Sequence, residues 1–228
     1  MSNAVKAVLL GLLLAVSCSS CATLSQRSWT PPPDLLGSSV TQAVVVRPSG
    51  SGDDLHAMLT LWNKDEASGE WKRALGAWPV VVGRNGFASV DEKHEGDGKT
   101  PSGIFPLGPA FGRAAALPTG LAYQQAGRDD RWVDDPASAQ YNQWVKGDVN
   151  AASFEAMLRE DGLYDAGIVV QYNMLPVIPG RGSAIFLHIW RDNGRSPTAG
   201  CVALEKRRLL ELLKALEARR SPVVILGK

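Results

Sequence analysis

Short apolar runs set the limits of this fold. "HAMLTLWNK" alternates apolar and polar side chains with period two, the spacing that turns one face of a strand to a core and the other to water. "AVVVRP", "LGAWPVVVGRNG", "GIFPLG", "GIVVQYNML", "AIFLHIW" and "PVVILG" are of similar length, rich in β-branched residues and bounded by Gly, Pro, Asn or Asp. The dipeptide Asn85-Gly86 signals a tight turn, because both residues tolerate positive φ. Two segments have helical spacing instead. "NAASFEAMLREDG" offers Asn150 as a cap, then Phe154, Met157 and Leu158, with Gly162 as a stop. "LEKRRLLELLKALEARR" gathers Leu204, Leu209, Leu212, Leu213 and Leu216 on one face and is predicted to start a helix just after Cys201. The balance predicts a mainly β, sandwich-like domain with a few attached helices.

Residues 1–21 read as an export leader. One cation, Lys6, precedes an apolar run from Ala7 to Val16, and small residues then lead into cysteines. That run falls well short of the roughly 20 residues a helix needs to cross a bilayer. "AVSC" and "CSSC" resemble a bacterial lipoprotein box, with Cys18 or Cys21 as the residue that takes the lipid. An ordinary cleaved signal is the alternative. The expectation is an exported, periplasmic protein held at the outer membrane by lipid alone. Residues 22–41, with "SWTPPPDLLGSS", form a Pro/Ser-rich tether, and residues 42–228 form the folded domain.

Charge narrows the partners. Twenty-four Lys and Arg against 23 Asp and Glu leave a net charge of +1, so no one-signed field points to nucleic acid. Long irregular stretches, "DEKHEGDGKTPSG" and "AGRDDRWVDDPASAQYNQW", read as ordered surface loops, the second anchored by Trp132, Tyr141 and Trp144.

With two of three cysteines in the leader, Cys201 has no partner for a disulfide inside the domain. A lone thiol in an exported protein is either a buried, inert side chain or a reactive one. Alternation along "AIFLHIW" puts His188 on the face of Ala184 and Phe186, opposite Ile185 and Leu187. The turn-forming "RDNGRSP" then lets the chain reverse toward Cys201. An imidazole within reach activates a thiol whose ordinary pKa is about 8.5. A helix beginning behind Cys201 would favour a thiolate, and Gly200 would let a carbonyl approach the backbone donors of Gly200 and Cys201. Arg191, Tyr172, Asn173, His94, Lys93 and Lys99 are candidates for binding substrate, Arg191 and the lysines through its carboxylates. With only His56 and His94 as further imidazoles, a closed zinc site would have to recruit carboxylates, so neither metal nor cofactor is expected.

"IFLHIW" followed by "TAGCVAL" resembles the signature of the L,D-transpeptidase catalytic domain, the YkuD family. "GRNGFASVDEKHEGDGKTPSGIFPLGPAFG" and "RDDRWVDDPASAQYN" extend the resemblance over most of residues 43–227. It implies a β-sandwich-like catalytic domain in which Cys201 is the nucleophile and His188 the base, with Thr198 and Gly200 shaping the turn. The implied substrates are peptidoglycan stem peptides: a thioester forms and its acyl group passes to an amine on another stem or on a wall-attached protein. Water as acceptor would make the enzyme a carboxypeptidase or amidase, and a domain without catalysis would only bind wall peptides. Many members carry a second histidine where this chain has Ala199, so the group that orients His188 is open, a backbone carbonyl being the natural candidate.

Overall fold

In β-strand His56–Lys64, Ala57, Leu59 and Leu61 are buried while the residues between them are half-exposed, as the alternation requires. The computed structural model describes residues 30–32, 36–50 and 55–227; Cys18 and Cys21 lie outside the described residues. In chain order the strands are β1 (Gln42–Pro48), β2 (His56–Lys64), β3 (Trp71–Val81), β4 (Phe87–Ala88), β5 (Thr100–Pro101), β6 (Gly103–Gly112) and β7 (Tyr123–Gln125). They continue with β8 (Asp130–Val133), β9 (Trp144–Lys146), β10 (Phe154–Ala156), β11 (Ala166–Val170), β12 (Phe186–Ile189), β13 (Val202–Leu204) and β14 (Val223–Leu226). Among the described residues the α-helix is α1 (Lys206–Ala215).

The chain is mainly β. One nine-stranded sheet runs β11-β12-β13-β3-β2-β1-β14-β6-β7, and a further pairing of β11 with β6 folds it back on itself. β1 is buried on both faces, which is why "AVVV" shows no alternation: Val44 and Val46 enter the main core, Ala43 and Val45 a smaller cluster. α1 lays Leu209, Leu212 and Leu213 into the main core against β11 and β12. Asn85 and Gly86 form the expected turn, with the Gly86 N–H donating to the Gly83 carbonyl at 2.8 Å.

Both helix expectations need correction. The helix predicted from Asn150 does not form; Phe154–Ala156 is strand β10, an antiparallel partner of β8 in a three-stranded sheet with β9. A helix this short is marginal in water without a buried stripe, and Phe154 stays 43 % exposed beside fully buried Met157. The free edge of β8 supplies the backbone partners instead. The second helix starts at Lys206, because residues 202–204 are taken into the sheet: Val202 pairs with Leu187 and Ala203 with both His188 and Val81.

Candidate active site

β12 is hydrogen-bonded on both sides, antiparallel to β11 and parallel to β13, so the backbone under His188 is fixed. The alternation holds: Ile185 and Leu187 belong to the main core, while Ala184, Phe186 and Cys201 belong to a second cluster with Phe111, Trp132, Met157 and Tyr164. Across the ladder from His188 stands Gly167, where an added Cβ would lie 2.3 Å from the Phe111 ring. That missing side chain lets Phe111 stack edge-on against Phe186 and Tyr164, and Tyr164 in turn meets the His188 ring edge-on at 5.3 Å.

The turn carrying Cys201 is pinned by hydroxyls. Thr198 Oγ1 accepts from the Gly200 N–H at 3.1 Å and donates to the Cys201 carbonyl at 2.7 Å, which also accepts from Thr100 Oγ1 at 3.4 Å. The Thr198 backbone is tied to Val82 and Arg84 at the end of β3. Gly200 has φ 154°, and a Cβ there would come within 3.0 Å of the Lys99 carbonyl. The Cys201 thiol donates to the Ala184 carbonyl at 3.2 Å, and the Phe186 N–H donates to Sγ at 3.4 Å.

His188 Nδ1 lies 2.8 Å from the Ile189 carbonyl, which can only accept, so Nδ1 carries the proton and Nε2 the lone pair. A backbone carbonyl therefore orients the imidazole. His188 and Cys201 line one pocket of about 210 Å³ without a hydrogen bond between them among the described residues. Burial pulls the His188 pKa down to about 4, opposed by the Ile189 hydrogen bond. Burial pushes the Cys201 thiol well above the ordinary range, and Glu155 adds to the rise. The resting pair is a neutral imidazole and an intact thiol.

Two expectations about this turn are corrected by the structure. Glu205 and strand β13 separate Cys201 from α1, so the helix N-terminus does not face the thiol. The Gly200 N–H is committed to Thr198 and is not a free oxyanion donor, whereas the Cys201 N–H makes no hydrogen bond among the described residues.

The candidate binding residues divide. Arg191 lines the pocket with Arg159, and both guanidiniums share the Asp161 carboxylate. Tyr172 is a core residue whose hydroxyl donates to the Arg181 carbonyl, and Asn173 braces the loop at Ile178 and Gly182, so neither lines the site as expected. His94 is exposed on its loop, and Lys99 approaches the site only through its backbone. Lys93 is buried against Asp97 at 2.9 Å and has no free charge to offer a substrate carboxylate.

Sequence reasoning missed Glu155, Tyr164, Arg159 and Asn142. Glu155 falls in the segment with helical spacing, whereas on strand β10 its carboxylate accepts a hydrogen bond from Tyr164 Oη. Asn142, 1 % exposed, accepts from Trp132 Nε1 (3.0 Å) and the Ala184 N–H (3.1 Å) and donates to the carbonyls of Tyr172 (3.1 Å) and Asn173 (2.8 Å). It thereby fixes Ala184, whose carbonyl holds the thiol. A second pocket of about 130 Å³, lined by Lys93, Glu95, Asp134, Glu155 and Ser183, reaches Cys201 from another side.

No curated protein and no solved structure matches the chain. The family model described as the L,D-transpeptidase catalytic domain, YkuD, does match, over residues 53–225 of 228, a span that holds His188, the Thr198–Cys201 turn and both pockets. The chain belongs to the L,D-transpeptidase catalytic domain family, whose members act on peptidoglycan.

Proposed function

We propose that this protein transfers acyl groups between peptidoglycan stem peptides, with Cys201 as nucleophile and His188 as general base and acid. The observation that carries the reading is the shared pocket, with the Cys201 thiol and a His188 ring whose Nδ1–H is tied to the Ile189 carbonyl. That tie leaves Nε2 to take the thiol proton as Sγ attacks the carbonyl before a terminal D-residue. Because the thiol is not ionised at rest, proton transfer and attack go together. The imidazolium then returns its proton to the departing amine, leaving a thioester on Cys201. In the second half-reaction an amine attacks the thioester, Sγ leaves and regains a proton through His188, and a new amide results. The Cys201 N–H is the backbone donor for the oxyanion. Arg159 and Arg191, sharing the single carboxylate of Asp161, leave a net positive rim for the carboxylate of a stem peptide. Peptidoglycan lies outside the cytoplasm, in agreement with the export leader read in residues 1–21.

The test compares the mature domain with Cys201→Ala on tetrapeptide stems plus an amine acceptor, with products followed by mass spectrometry. Cross-linked or exchanged product from the wild type alone supports the reading. Tripeptide alone would make the protein a hydrolase, and equal behaviour of the two forms would refute Cys201 as nucleophile.

A further inference from the structure

Three residues, Glu155, Ala199 and Cys201, line both pockets, whereas His188 lines only the one bordered by Arg159 and Arg191. Of the groups that can move a proton, Glu155 is thus the one beside the thiol from either side. Its carboxylate, on β10, is held by the Tyr164 hydroxyl, and Tyr164 itself packs against His188. Arg159 lies on one side of it, and Asp134 and Glu95 line the pocket on the other together with Lys93 and Arg84.

The second pocket is suited to an ammonium group, because three carboxylates, Glu95, Asp134 and Glu155, line it beside two cations, Lys93 and Arg84. Lys93 is neutralised by Asp97, and Glu95 accepts hydrogen bonds from Tyr141 Oη and Ser183 Oγ. Asp134 Oδ1 is buried with no hydrogen bond among the described residues, so a carboxylate on this wall lacks a donor.

We propose that Glu155 is a further catalytic residue, the base that deprotonates the acceptor amine as it enters through the second pocket. The proposal rests on the reading of Cys201 as the thioester-forming nucleophile. An alkylammonium acceptor gives one proton to the Glu155 carboxylate, and the neutral amine forms a C–N bond to the thioester carbonyl. The C–S bond then breaks, the second amine proton passes through His188 to Sγ, and Glu155 releases its proton to water. Burial raises the Glu155 pKa above the ordinary carboxylate range, with Asp134 and Glu95 adding to the rise and Tyr164 and Arg159 opposing it, which makes it a stronger base than an exposed carboxylate.

The experiment reads how the acyl-enzyme divides between amide and acid, a ratio independent of how fast the acyl-enzyme forms. Wild type, Glu155→Gln and Glu155→Asp are acylated with a tetrapeptide stem and offered either a stem tripeptide bearing a side-chain ammonium or hydroxylamine, which is largely unprotonated at neutral pH. Loss of a general base predicts a fall of about 10²-fold in the amide-to-acid ratio for Glu155→Gln with the ammonium acceptor. Hydroxylamine should react as in the wild type, and Glu155→Asp should recover part of the loss. An unchanged ratio with the ammonium acceptor overturns the assignment. An equal fall for both acceptors also overturns it, since that marks a group that only shapes the pocket. If the wild type forms no acyl-enzyme, the nucleophile reading fails first and this proposal falls with it.

Discussion

Replacing Asn142 with leucine should cost this protein about 5 kcal/mol. The side chain is 1 % exposed and makes four hydrogen bonds, to Trp132 Nε1, the Ala184 N–H and the carbonyls of Tyr172 and Asn173. Leucine keeps the volume but satisfies none of the four. At a net worth of roughly 0.5–1.5 kcal/mol each, their loss amounts to about 2–6 kcal/mol. Asn142 also has φ 58°, a left-handed conformation that Asn tolerates and that costs leucine roughly 1–2 kcal/mol more. Against a typical total stability of roughly 5–15 kcal/mol, the loss is severe. Urea unfolding of wild type and Asn142→Leu measures it directly. Because Ala184 presents the carbonyl that holds the Cys201 thiol, alkylation of Cys201 should also change in whatever fraction stays folded. A destabilisation under about 1 kcal/mol would refute the view that this amide is a satisfied, load-sharing hub.

Four further outcomes are expected. Folding lowers the His188 pKa from 6.5 to about 4, so the unfolded chain binds more protons between those values and stability falls as pH drops through that window. The full loss is about 3 kcal/mol, and His188→Gln should flatten it in denaturation curves taken from pH 7 to 4. Lys93→Met strands the buried Asp97 carboxylate and should cost roughly 3–5 kcal/mol. Lys72→Met, which breaks an exposed pair with Asp65, should cost no more than about 1 kcal/mol, both variants being compared with the wild type by thermal melts. Leu213→Ala on α1 removes a fully buried side chain from the main core and should cost about 2–5 kcal/mol by urea unfolding.

Much of the strand framework was legible because period-two alternation is a local property. The runs from "AVVVRP" to "PVVILG" became strands, and the face assigned to His188 was correct. The family signature was equally local. The region from Asn150 to Gly162 misled, because its spacing suits a helix equally well and nothing nearby in the chain announces the free edge of β8 that it pairs with. The start of α1 was misplaced for a related reason: Leu204 continues the leucine stripe, yet Leu187 and Val81 draw its neighbours Val202 and Ala203 into the sheet.

By itself, then, the sequence determined the strand class, the pairing of His188 with Cys201 as the reactive candidates and the glycine that the turn at Cys201 demands. Only the tertiary structure decided what surrounds them. The Ala184 carbonyl that holds the thiol, the Asn142 hub, and the approach of Glu155 and Tyr164 to Cys201 and His188 depend on long-range packing. Such contacts form between segments far apart in the chain, where side-chain periodicity is silent and burial alone selects the neighbours.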